Sequence, residues 1–476
     1  MQNDVKRNIS CIHKIIYQYI EQTKTNIIKR ERTITMPDIL NFLCIKNATG
    51  KSYDVTLSSI HADKIMNKQK YGKYKNKKKS NKQKLNKKNK QKRTKNKIKI
   101  KMQEDNKTEN KIQKDNKIEN KAKQWITRPA IIKKRKMLSD TFITELNNKI
   151  INHIYENSSS NIYAVDGSQI NLPIELVKDG FTESDNKKYA VGYLSSVYDV
   201  KKEILINWHL TKCDDERKAF IEQLKYIKSG DTIVVDRGYY SKKLLEILHD
   251  KEINYAFRMK KDANIVKELT KQKKDEMETT IPIKKNNKIP VKIFKYNINC
   301  PKEYKQKEDD TYYICTNLDK NLAIEQVKQL YHDRWKVETN FRTGKYDLTL
   351  GNIVSENIQN VKQDIDIQNF ILTLSGYINY LIMQDVKEGY KTNFTNCLEQ
   401  VCDHLLSTFF YEKPHYKITD KILIITNIIK AVINPIVEDR HFPRIRIKPP
   451  PKFGKNGNIY KATRSKKPKN QKKDNG

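Results

Sequence analysis

Hydrophobic residues near the start of the chain fall at helical spacing. Ile9, Ile12, Ile15, Ile16, Tyr19 and Ile20 share one face, which predicts a helix over 4–29. Pro37 suits a first helical turn, and Ile39, Leu40, Phe42 and Leu43 predict a second helix behind it. These make a small helical N-terminal domain, 1–66. The pattern then vanishes. Residues 67–123 are Lys/Asn-rich, and DNKTENK at 105–111 returns as DNKIENK at 115–121. Such a segment buries too little apolar surface to offset chain entropy, so it is expected to be disordered. Helical spacing resumes over 129–155, and 124–160 reads as a continuation of the N-terminal helical region.

The period changes after residue 160. NIYAVD at 161–166, KYAVGYLSSVY at 188–198, EILINWHL at 203–210, TIVVD at 232–236 and NYAFRM at 254–259 read as strands, rich in Val, Ile and Tyr. A helix fits 214–228 behind Asp214 and Asp215 as caps, and another fits 241–250 behind Ser241. Strand, strand, strand, helix, strand, helix, strand is the order of a ribonuclease H-like mixed sheet. The fold class expected is therefore α+β, with that core first appearing over 161–259. Residues 260–321 interrupt it with strand-like runs at 289–297 and 311–316, an expected β-rich insertion. A long helix over 322–346 resumes the core, and helices at 360–384, 395–410 and 419–433 complete 322–440. A basic tail, 441–476, follows.

Charge narrows the partners. The formal net charge is +39, and 18 Lys or Arg without one acid lie between Lys68 and Lys101. The remainder is still basic. Such a field attracts polyanions, and nucleic acid is the usual one inside cells. An AT-rich coding sequence would account for the Lys, Asn and Ile of the run equally well. Seven cysteines are scattered without a C-x-x-C pair or a Cys/His cluster, which points to a reduced, intracellular protein without structural zinc. The first 30 residues do not form a secretory signal. The stretch Phe370–Met383 is too short and polar to span a bilayer.

Three acids stand out by position. Asp166 ends an apolar run and precedes Gly167; Asp236 ends TIVV and precedes Arg237-Gly238; Glu338 lies on the long helix. If the first and fourth strands are neighbours, both aspartates emerge together and the helix can bring Glu338 to them. Converging carboxylates need cations, and hard oxygen ligands suit Mg²⁺ or Mn²⁺. Two ions about 4 Å apart serve phosphodiester chemistry. Taken singly, each acid reads more readily as a turn residue or a solvated side chain than as a ligand. On the helix, Tyr331, Arg334, Glu338 and Lys345 fall within about 60° of one another, beside an apolar stripe of Leu330, Val337 and Phe341. That arrangement places cations beside a carboxylate, as phosphate handling requires. An ordinary amphipathic helix with an Arg334–Glu338 pair gives the same spacing.

The pattern Y-x₂-R-x₃-E-x₆-K, present as YHDRWKVETNFRTGK from Tyr331 to Lys345, resembles the signature of the insertion-sequence-four family of DDE-type transposases. AVDGSQINLP around Asp166 and VVDRGYYS around Asp236 resemble that family's first two acidic motifs. The resemblance covers roughly 125–450, with weaker likeness at 32–43 and 442–453. It implies a ribonuclease H-like fold, a DNA-binding N-terminal domain and catalysis with Mg²⁺ or Mn²⁺. Asp166, Asp236 and Glu338 would be the metal ligands, and Tyr331, Arg334 and Lys345 would handle DNA. It implies cleavage at transposon ends, joining of the freed 3′ hydroxyl to target DNA, and dimeric synapsis on double-stranded DNA. The protein would work on DNA in a bacterial cytoplasm or nucleoid, or in a nucleus. Members can pass through a hairpinned end with a base stacked on an aromatic residue of the insertion. No Trp lies between Asp236 and Arg334, so Phe294, Tyr296, Tyr312 or Tyr313 would serve. Two other functions fit the same residues: a transposase-derived DNA-binding protein without catalysis, and a metal-dependent nuclease that cuts without joining.

Overall fold

The computed structural model describes residues 2–27, 34–61, 126–212, 215–283, 288–297, 311–319, 321–351, 353, 355, 357–437, 452–453 and 459–460. The expected disordered segment and most of the basic tail lie outside them. The chain divides into two compact units. One comprises Met1–Thr23, Asn47–Gly50 and Ser139–Gly476, the other Lys24–Lys46 and Lys51–Leu138. In the second unit Ile39, Leu40, Phe42 and Leu43 are buried as their spacing predicts, and the Phe42 ring meets Tyr53 at 5.0 Å. In the first unit, the part of helix α1 (Gln2–Ile27) up to Thr23 buries Ile9, Ile12, Ile16 and Ile20.

The first unit is a mixed α/β structure built on a nine-stranded sheet. Strands β1 (Ile162–Leu172), β3 (Ala190–Asp199) and β4 (Ile204–Thr211) form an antiparallel meander, with a two-residue β2 (Thr182–Glu183) at the edge of β3. Strand β5 (Thr232–Val235) returns parallel beside β1, and β6 (Asn254–Arg258) lies parallel beside β5. The strands of 260–321, β7 (Glu276–Pro282), β8 (Lys288–Asn297) and β9 (Thr311–Thr316), continue the same sheet through β9 on β6. They follow a helix at Asn264–Lys271 that the sequence did not suggest.

Two differences from the sequence reading matter for function. β1 does not stop at Asp166 but runs six residues further, because β3 keeps pairing with it as far as Leu172. Its parallel neighbour β5 ends at Val235, so Asp166 stands where β1 outruns β5. The long helix is also two helices, Ile324–Asp333 (α2) and Trp335–Tyr346 (α3), separated at Arg334. Around that residue the bonds tighten to three-residue spacing, Arg334 N–H to Tyr331 O and Val337 N–H to Arg334 O.

Helix α2 lies on the sheet face carrying Val234, Ala256, Phe294 and Ile314, where Val327, Leu330 and Tyr331 complete a buried cluster. Helix α4 (Ile358–Met383) packs against β4, and the Thr373 hydroxyl donates to the Leu205 carbonyl at 2.7 Å. No helix among the described residues is long and apolar enough to cross a membrane.

Candidate active site

Pairing register brings the site residues together. Val165 pairs with Val235, and Val235 with Phe257. The next level therefore holds Asp166, Asp236 and Arg258 side by side. Side chains alternate along a strand, so these three point the same way as Val234 and Ala256, towards α2 and α3. The core ends there and polar chemistry begins. The sequence marked NYAFRM as a strand but gave no sign that Arg258 would share a level with the two aspartates.

Arg334 links two of the carboxylates. Its Nη1 lies 3.5 Å from Asp166 Oδ2 and its Nη2 donates to Glu338 Oε1 at 3.0 Å. Its side chain is 4% exposed. Burial opposes that charge, but Tyr331 and the nearby carboxylates hold the guanidinium pKa above its ordinary value. Asp236 has its own partners: the Tyr331 hydroxyl donates to Oδ1 at 3.1 Å, and Arg258 Nη1 lies 3.5 Å from the same oxygen. Tyr312 closes this group, with the Arg258 guanidinium 3.9 Å from its ring centroid and its edge against Tyr331. Tyr331 and Arg334 are thus buried and turned to the carboxylates, not displayed on an open helix face. Lys345 Nζ donates to Ser168 Oγ at 2.5 Å and to the Gln169 carbonyl at 3.2 Å, joining α3 to the extension of β1. Burial lowers the Lys345 pKa.

Burial pushes the Asp166 carboxyl up to about 6, against the opposing pull of Arg334 and the Gly167 N–H. Glu216 was not foreseen. It opens the helix Glu216–Gln223, whose cap is Asp215. Its Oε2 sits 2.9 Å from where a Cβ on Gly238 would lie. Burial raises its pKa; the Tyr193 hydroxyl opposes this and the Asp236 charge adds to it. The acidic run at 214–216 held the signal but reads first as a helix cap.

Gly167 is required by close approach, since a Cβ there would run into the Tyr193 hydroxyl and ring. Gly167→Ala is expected to destabilise the protein by about 1–3 kcal/mol, the usual cost of overpacking. Tyr193→Leu in the same chain should restore most of it. An unchanged melting temperature for Gly167→Ala alone would contradict this packing.

The candidate donors, Asp166, Asp236 and Glu338, are carboxylates, a ligand type that suits Mg²⁺ or Mn²⁺. Asp166 and Asp236 are neighbours on one face, with side chains 21% and 35% exposed, and so fit as a metal-binding pair. Among the described residues no three carboxylate, imidazole or thiol groups stand close enough to hold an ion. Arg334 occupies the space between Asp166 and Glu338. Trp335 is 47% exposed, and His332 lies at the surface beside the buried Tyr331. Of the aromatic candidates for base stacking, Phe294 and Tyr313 are buried; Tyr296 and Tyr312 are half-buried and pack on each other at 5.8 Å.

Comparisons with known proteins bear on the class of the protein. Residues 157–374, which include all six residues of the proposed triad and signature, match the family model of a transposase DDE domain. The match supports a transposase of the DDE type. Among solved structures, one similar chain is the piggyBac transposase of a synaptic complex with hairpin DNA, at 12% identity and a TM-score of 0.37. The likeness covers 60% of this chain and 62% of that chain. No curated protein matches.

Proposed function

We propose that this protein is a DNA transposase that binds the ends of its element, cleaves them and joins the 3′ hydroxyl to target DNA. The observation that carries the reading is Asp166 and Asp236 at one level of adjacent parallel strands, with Glu338 tied to Asp166 through Arg334. It lies within a stretch that matches a transposase DDE domain. An antiparallel meander β1-β3-β4 with β5 and β6 parallel beside it supports a ribonuclease H-like core. We assign the transposon-end and target contacts to double-stranded DNA, and synapsis to a homodimer.

Asp166, Asp236 and Glu338 would hold two Mg²⁺ or Mn²⁺ ions. When bound, these ions activate the attacking oxygen and stabilise the leaving oxygen of the phosphodiester. The chain's own groups prepare the carboxylates. Tyr331 and Arg258 fix the Asp236 carboxylate from two directions. Arg334 reaches both Asp166 and Glu338 and limits their repulsion. Lys345 anchors α3 to the extension of β1 and places a cation at the mouth of the site, where a phosphate approaches.

The test is incubation with a duplex carrying the terminal inverted repeat that flanks the coding region, with Mg²⁺ and with a chelator. Cutting at the repeat boundary in Mg²⁺ alone is expected. Absence of cutting with either Mg²⁺ or Mn²⁺ would overturn the reading.

The raised Asp166 pKa gives a pH dependence. The folded protein holds this proton up to about pH 6, whereas an unfolded Asp loses it near about 3.9. Between those values the folded state binds more protons, so this group's contribution to stability declines as pH rises through the window. Activity runs the other way, because ligation needs the carboxylate. End cleavage at fixed Mg²⁺ should therefore fall about tenfold per pH unit below about 6. A rate independent of pH between about 5 and 7 would contradict that assignment.

A further inference from the structure

Two adjoining cavities lie beyond Asp236, outside the arrangement of Tyr331, Arg334 and Lys345. One, of about 440 Å³, is lined by Arg237, Arg258, Lys260, Lys261 and Asp262, among others. The second, of about 250 Å³, shares Arg237, Lys260 and Asp262 with the first and adds Arg217 and Tyr240. The shared residues make them one trough. The linings hold five cations, of which Arg258 also lies against Asp236, and one acid, Asp262. Arg237 and Tyr240 follow the end of β5 and Lys260, Lys261 and Asp262 follow the end of β6, while Arg217 comes from the helix Glu216–Gln223; crevices at the carboxyl ends of parallel strands are where open α/β sheets receive ligands. Arg237 follows Asp236 directly, so the trough begins where the candidate chemistry stops. A lining of guanidinium and ammonium groups suits phosphate oxygens and is unsuited to an apolar ligand.

We propose that this trough is a second DNA subsite, which grips the phosphodiester backbone of a DNA strand on the Asp236 side of the site. The proposal rests on the transposase reading and adds to it a place for DNA that the helix signature does not provide. Arg217, Arg237, Lys260 and Lys261 are exposed, so neutralising them leaves the core untouched.

The experiment measures binding of the full-length protein to a fluorescent repeat-containing duplex without divalent ions, as a function of salt. Each lost phosphate contact lowers the slope of log K against log salt by about 0.9. Arg237→Gln with Lys260→Gln should lower the slope by about two. A control pair, Lys225→Gln with Lys251→Gln, neutralises exposed residues that precede β5 and β6 and should leave the slope near that of the parent. An unchanged slope in the first pair, or an equal drop in both pairs, would overturn the trough while leaving the transposase reading intact. A parent protein that neither binds nor cuts the duplex would overturn both.

Discussion

Glu338→Gln is expected to lower Mg²⁺-dependent end cleavage by about 10³-fold. The substitution keeps the side chain's size and leaves an oxygen for Arg334, but it removes a hard anionic ligand. Metal-assisted stabilisation of developing charge is worth several kcal/mol, and about 4 kcal/mol corresponds to that factor. Binding of the uncut duplex should change little, because the Glu338 carboxylate pairs with Arg334 and an anionic group makes no attractive contact with phosphate. The melting temperature should stay near the parent's, since this side chain is 36% exposed and the ion pair with Arg334 is partly solvated. Single-turnover cleavage by the two proteins at one Mg²⁺ concentration reads the effect. Cutting at the parental rate would remove Glu338 from the chemistry.

Arg334→Met should have the largest effect on stability. The Arg334 side chain is 4% exposed and reaches both Asp166 and Glu338. Methionine fills similar volume and leaves two carboxylates facing each other without their shared counter-charge. Removing one partner of a buried pair costs about 3–5 kcal/mol, and the partial exposure of both acids places this case near about 3. Arg334→Lys should recover only part, because an ammonium cannot reproduce the two-pronged contact. Urea unfolding at neutral pH compares the three proteins. A methionine variant as stable as the parent would mean that Arg334 does not hold these carboxylates together.

The sequence revealed the elements better than their joins. Alternation and β-branched content placed β3, β4, β5 and β6 close to their observed bounds, and helical spacing placed α1 and α4. It could not reveal that β1 continues past Asp166, because Asp-Gly is a local turn signal and the continuation depends on pairing with β3, some thirty residues on. The same blindness hid Arg258. Its level beside Asp166 and Asp236 is a property of register across three strands, which no local spacing encodes. Helical arithmetic placed Tyr331, Arg334, Glu338 and Lys345 on one side, and in the structure Tyr331 meets Asp236, Arg334 meets Asp166 and Glu338, and Lys345 meets Ser168. It treated the segment as one exposed helix, whereas the tightening at Arg334 and the packing of α2 bury Tyr331 and Arg334 against the carboxylates. Glu216 was legible as an acid in a first turn, but its approach to Gly238 and Asp236 is tertiary.

The account's central claim is that these carboxylates serve DNA cutting and joining, and joining is the more discriminating half. A labelled, pre-cleaved repeat end is incubated with the protein, Mg²⁺ and a supercoiled plasmid, and plasmid-linked label is measured. The account predicts joined product from an end with a free 3′ hydroxyl, none from a 3′-deoxy end, and none from Asp236→Asn. Cleavage of ends without any joined product, or joining that survives loss of Asp236, would contradict it.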